Sequence, residues 1–158
     1  MQGPAQRGFT LIELVITVAI IGLLAALAAP VTETVVRRSK EQDLKAALMQ
    51  VRDAIDAYKD AADQGRIAKA ATDSGYPPNL EVLVNGVVDK GSATGAKIYF
   101  LRRVPRDPFG DRSLAPAQTW GVRSSDSAPD APISGKDVYD IRSLSDEKAL
   151  DGSYYREW

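Results

Sequence analysis

The stretch Arg7-Gly8-Phe9-Thr10-Leu11-Ile12-Glu13 places a carboxylate four residues into a run that is otherwise apolar from Phe9 to Ala29, interrupted only by small or hydroxyl residues. Taking an unpaired carboxylate into hydrocarbon costs a few kcal/mol or more. No other side chain within the segment carries a charge that could answer it. Glu13 therefore needs a partner from outside the segment. A second concentration of oxygen donors lies at the other end of the chain. Leu144-Ser145-Asp146-Glu147-Lys148-Ala149-Leu150-Asp151-Gly152-Ser153 gathers carboxylates and two hydroxyls into one tight turn.

Composition limits the remaining chemistry. The 158 residues contain no Cys and no His. That excludes disulfides, thiol chemistry, the usual zinc ligand sets and His-based acid–base catalysis, while hard-oxygen metals such as calcium stay open. The charge balance of 20 Lys and Arg against 21 Asp and Glu leaves no basic footprint for nucleic acid. There is no Gly-rich phosphate loop and no nucleophile–base set, so the chain does not read as an enzyme. The acidic pairs Asp107 and Asp111, Asp126 and Asp130, and Asp137 and Asp140 fall in predicted turns or strand edges and read as solvated surface.

Phe9 to Ala29 covers 21 residues, which at helical rise spans roughly 30 Å of hydrocarbon. An ordinary secretory signal is one reading, because Ala26-Leu27-Ala28 supplies a small-residue cleavage site. A plain single-span anchor is another. The length of the run opposes the first, and the early Glu13 opposes both. After Pro30, Leu44, Leu48, Val51, Ile55 and Tyr58 follow at helical steps and mark one face. The pattern predicts one helix from about Phe9 to about Ala62, bent at Pro30 and roughly 80 Å long. Its first half is apolar all round and its second half amphipathic. Gly22 and Pro30 are its weak points.

Residues 63–75 read as a connection and Asn79 to Val84 as a short helix. Gly86 to Gly95 reads as loop, and Lys97 to Leu101 as strand or turn. Thr119 to Ser124 and Asp137 to Ser143 alternate as strands, with an exposed loop between them. Tyr58, Tyr99, Phe100, Trp120 and Tyr139 read as core. Trp158 is expected to pack against the head, with the long helix as one candidate surface. The fold class is α+β: a long N-terminal helix on a small antiparallel sheet.

Gly8-Phe9-Thr10-Leu11-Ile12-Glu13-Leu14 resembles the class III signal of the type IV pilin superfamily. The resemblance implies that a prepilin peptidase removes residues 1–8 as a leader, cutting between Gly8 and Phe9, and methylates the new amine of Phe9. It further implies that an incoming subunit's Phe9 amine meets Glu13 of a neighbour, and that the stretch between Gly22 and Pro30 unwinds in a filament. Leu101-Arg102-Arg103-Val104-Pro105-Arg106-Asp107-Pro108-Phe109-Gly110 and Val138-Tyr139-Asp140-Ile141-Arg142-Ser143-Leu144-Ser145 resemble stretches of the major pseudopilins of type II secretion. Pseudopilins of that kind bind calcium in the C-terminal loop, and Leu144, Asp146, Asp151 and Ser153 are the matching positions here. The loop departs from the family pattern at Glu147-Lys148-Ala149, where a glycine-rich stretch is usual.

The implied organisation is a leader (1–8), a transmembrane or filament-core helix (9–29), an amphipathic half (30–62) and a periplasmic head (63–158). The implied role is a structural subunit of the type II secretion pseudopilus, anchored in the inner membrane of a Gram-negative bacterium by a single pass. Its partners would be further copies of itself, the prepilin peptidase, the inner-membrane assembly platform and minor pseudopilins. A type IV pilus pilin, major or minor, is the alternative within the superfamily. A periplasmic binding module behind an ordinary signal is the alternative outside it. Amino-terminal sequencing of the mature protein is expected to begin at a methylated Phe9; a start at Ala29 would contradict the pilin-like reading.

Overall fold

The computed structural model describes residues 9–70 and 72–158, with the side chains of 26–32 outside the described set. The leader, with Gly8 on one side of the expected cleavage bond, lies outside the described residues, as do the side chains of Ala26, Leu27, Ala28 and Pro30. The chain divides into two compact units, residues 1–39 and residues 40–158. Helix α1 (Leu11–Asp63, 53 residues) begins in the first and ends in the second.

In the first unit the helix starts where a hydroxyl can satisfy it. Thr10 Oγ1 accepts the Glu13 N–H at 3.3 Å, an N-cap bond, and Glu13 lies in the first turn, where the helix dipole favours a negative charge. The Thr17 hydroxyl is 2.9 Å from both the Glu13 and Leu14 carbonyl oxygens. A backbone acceptor therefore lies within its reach inside the helix, and the group places no polar demand on its surroundings. The helix runs through Gly22, where a Cβ would meet nothing within 4 Å. Among the described residues, no helix is long and apolar enough to cross a membrane.

In the second unit the predicted stripe is the spine of the core. Leu44, Leu48, Val51, Ile55 and Tyr58 are all buried, with Ala47 and Ala54 between them and Ala61 and Ala62 just beyond. They cluster with Leu80, Leu83, Leu101, Trp120, Val138, Ile141 and Tyr155. The small alanines leave room for the head to approach the helix while Leu, Val and Ile supply most of the buried area. Helix α2 is Glu81–Asn85, with Asn79 Oδ1 accepting the Val82 N–H at 3.0 Å. The Leu83 carbonyl then accepts both the Phe100 and Leu101 N–H groups (3.0 and 2.9 Å), which pins the following segment to this helix.

The head carries two antiparallel pairs instead of the single sheet expected. Strands β1 (Val87–Val88) and β2 (Lys97–Ile98) pair Val87 with Ile98, so part of the expected loop from Gly86 to Gly95 is strand. Gly86 permits this with φ +72, where a Cβ would also fall 2.8 Å from the Tyr99 ring. Strands β3 (Trp120–Arg123) and β4 (Asp140–Ser143) pair Trp120 with Ser143 and Arg123 with Asp140. β4 is shorter than the alternation predicts because the Val138 N–H goes to Pro77 O (2.8 Å) and the Asp137 side chain turns to serine donors.

The aromatic residues divide. Trp120 and Tyr58 are buried and Phe100 packs against the core. Tyr99 and Tyr139 are exposed, contrary to the core reading. Tyr139 instead meets Tyr76 edge-on at 5.0 Å with the Arg123 guanidinium 4.6 Å above its ring. Trp158 sits edge-on to Tyr155 at 5.2 Å, with Lys45 of α1 4.4 Å from its ring centroid. Ile55→Ala, at a fully buried position, is expected to cost about 2–5 kcal/mol in urea unfolding. Met49→Ala, on the exposed face of the same helix, is expected to stay within about 0.5 kcal/mol of wild type.

Candidate functional site

The residues at the N-terminal end form a surface instead of a pocket. Every large apolar side chain from Phe9 to Leu24 is more than half exposed, between 52 and 82%. The Glu13 side chain is exposed among them, and among the described residues no hydrogen bond or ion pair is made by its carboxylate. Monomeric soluble proteins rarely leave so long an apolar face open, and such faces mark membrane or protein contacts. Residues 9–24 thus present an open apolar surface that carries one charged side chain, Glu13.

In the head the structure corrects the reading of the acidic pairs. Asp107 is 1% and Asp137 3% exposed. Neither is solvated surface. Asp107 Oδ2 accepts the Ser143 hydroxyl at 2.6 Å, and Oδ1 accepts the Phe109 N–H at 2.8 Å. Its own N–H donates to Thr119 Oγ1 at 3.1 Å, while Trp120 Nε1–H donates to Pro105 O at 2.8 Å. Gly110 follows closely, where a Cβ would stand 2.9 Å from the Thr119 Cβ. The Pro105–Gly110 segment is thus a polar staple that joins the proline-rich loop to β3 and β4.

Asp137 is held more tightly still. Oδ1 accepts the Ser124 hydroxyl (2.7 Å) and the Ser125 N–H (2.9 Å), and Oδ2 accepts the hydroxyls of Ser125 (2.6 Å) and Ser74. Burial alone would raise its pKa. The hydrogen bonds from Ser125, Ser74 and Ser124 outweigh that and lower it to about 2. A signal for this site was present in the serine pair Ser124-Ser125 at the end of β3, which supplies donors to whichever acid lies opposite. Asp140 is half-buried and paired with Arg52 at 2.8 Å and Arg123 at 3.5 Å. Arg52 also donates to the carbonyls of Ile141 and Trp158, both at 3.0 Å. It ties the helix to β4 and to the last residue.

The carboxylates of the C-terminal loop are engaged by donors of the chain itself. Asp146 Oδ1 accepts Arg156 Nη1–H at 2.6 Å. Asp151 Oδ1 accepts the Ser153 N–H (2.9 Å) and hydroxyl (2.6 Å), and these bonds hold its carboxyl below the usual carboxylate range. The Ser153 oxygen in turn accepts Trp158 Nε1–H at 2.7 Å. Calcium asks for six to eight oxygens, and among the described residues no three acidic side chains converge to hold a metal. The set Leu144, Asp146, Asp151 and Ser153 therefore does not fit the ion that the resemblance implies.

The Asp137 cluster determines an acid response. A carboxyl whose pKa is lowered on folding stabilises the fold above its ordinary value, and that stability is lost as the pH falls from about 4 through about 2. Asp137→Asn is expected to lower stability by about 1–3 kcal/mol at neutral pH, with the gap from wild type narrowing below about pH 3. Urea midpoints between pH 7 and 2 measure this, and parallel curves would contradict it.

Comparison with known proteins gives the following. Residues 3–29 match the family described as the prokaryotic N-terminal methylation motif. The chain is 30% identical to the type II secretion system core protein G of Klebsiella pneumoniae over 140 residues, 84% of this chain and 92% of that protein. It is 33% identical to the protein of the same name from Pseudomonas aeruginosa over 119 residues, 73% and 78% of the two chains. Fimbrial protein Q of Moraxella bovis is 40% identical over 70 residues, 44% of this chain and 45% of that one. No solved structure matches.

Proposed function

The chain belongs to the type II secretion system core protein G family, and from that premise we propose that its N-terminal helix is the polymerisation element of a periplasmic pseudopilus that drives protein export across the outer membrane. The observation that carries this reading is the exposed apolar face from Phe9 to Leu24 with Glu13 set into it. In the membrane that face meets lipid, with residues 9–29 as a single pass and the head in the periplasm. In the filament it meets the same face of other copies.

The chemistry of assembly follows from Glu13. Cleavage between Gly8 and Phe9 frees an amine on a residue that is itself 81% exposed. Within one chain that amine and Glu13 are about one helical turn apart; between staggered copies they can pair across the interface. In a low dielectric the attraction of the two charges is strong and their desolvation offsets much of it, so the pair sets register more than it adds net stability. An unpaired Glu13 in lipid is the more costly state, and this favours recruitment of a neighbour. The prepilin peptidase, the inner-membrane assembly platform and minor pseudopilins are the partners this cycle requires.

A type IV pilus subunit is the second reading, favoured by the match to fimbrial protein Q. That match covers less than half of the chain, whereas the core protein G match extends over 84% and so takes in most of the head. The head therefore supports the pseudopilus. Glu13→Ala is expected to insert normally and to lower filament yield by about tenfold or more, as removing one partner of a desolvated charge pair does. Wild-type yield of sheared filaments from this variant would overturn the pairing.

A further inference from the structure

We propose that this chain closes its C-terminal loop with its own charged side chains, Glu41 and Arg156, and takes no divalent cation there. The proposal rests on the head alone and stands apart from the reading of the N-terminal helix.

The loop after β4 is first closed by its backbone. Ala149 N–H donates to Ser153 O at 2.7 Å, Gly152 N–H to Ala149 O at 3.0 Å, and Tyr155 N–H to Glu147 O at 3.2 Å. Lys148 and Tyr154 face each other as an antiparallel bridge. These bonds bring the two sides of the turn together.

Glu41 then fixes the loop to α1. Its Oε1 accepts the Leu150 N–H at 2.7 Å and the Tyr155 hydroxyl at 2.9 Å. Tyr155 is fully buried, its ring stacked on Phe109 at 4.0 Å. A buried phenol and a loop amide both need an acceptor, and a single carboxylate oxygen from the helix serves them together. Hydrogen bonds to an ionised acceptor are the strong class. Glu41 is therefore a positioning residue for the whole turn, although it lies more than a hundred residues away in sequence.

Cations of the chain already occupy the places a metal would neutralise. Arg156 holds Asp146 and lies 4.7 Å from the Tyr154 ring centroid; Lys148 lies 5.2 Å from the same ring. Lys45 adds its positive charge near Asp151. The Arg156–Asp146 pair is exposed and contributes little stability by itself. Its consequence is competition: a dication would have to displace a guanidinium and enter a field set by three positive side chains.

The test uses the full chain in detergent, melted with about 5 mM calcium, above the ~10⁻⁴–10⁻³ M constants of extracellular calcium modules, and with a calcium chelator. Wild type is expected to melt at the same temperature in both, within about 1 °C, and to show no heat of calcium binding. Glu41→Ala is expected to melt about 4–8 °C lower in both solutions alike. Glu41→Gln keeps an acceptor oxygen without the charge and is expected to lie between the two. A calcium-dependent rise of several degrees in wild type overturns the proposal. If Glu41→Ala does not fold, the Gln variant decides: melting below wild type in both solutions supports the lock, and melting like wild type overturns it.

Discussion

The structure depends on one constraint: a helix whose large apolar side chains from Phe9 to Leu24 stand exposed. Hydrophobic burial is the main driving force of folding, yet the side chains from Phe9 to Leu24 are left open. Thr10 and Thr17 turn their hydroxyls back onto the helix, so the segment asks only for an apolar surrounding and a partner for Glu13. On the proposed function, lipid answers the first need and another copy answers both. The exposed surface that would be a liability in a soluble enzyme is the feature that defines a subunit.

The head meets the opposite problem. It must hold one face of a helix with few strands, no cysteine and no metal ligand set among the described residues. It does so by surrounding buried or half-buried carboxylates with donors. Asp107 joins the proline-rich loop to β4 through Ser143, Asp137 collects serines from two loops, and Glu41 joins the helix to the final turn. A buried charge missing one donor is costly, so each cluster also specifies a single arrangement of the loops around it. The aromatic residues Phe109, Tyr155 and Trp158 fill the space between these staples.

What was legible in the sequence was whatever repeats locally. The stripe from Leu44 to Tyr58 follows from helical period, and the alternation around Val122 and Ile141 marks the paired strands. The significance of Glu13 follows from a charge in a greasy run. What was illegible depends on partners far apart in the chain. Asp107 finds Ser143 36 residues on, and Asp137 finds Ser74 63 residues back. No local pattern separates such an acid from a solvated one, which is why both read as surface. The cation loop meets the same limit. Asp146 and Asp151 have suitable types, but the atoms that occupy them come from Arg156 and Ser153, and the order of the turn comes from Glu41 on a distant helix.

The central claim is that the open face of the N-terminal helix is completed by other copies of the chain. Because the chain has no cysteine, a pair introduced on that face, Ile16→Cys with Ile20→Cys, reports contacts between copies without background. Oxidation of membranes that carry the complete secretion machinery is expected to give a ladder of disulfide-linked multimers. Monomers alone, in membranes where the machinery secretes normally, would contradict the account.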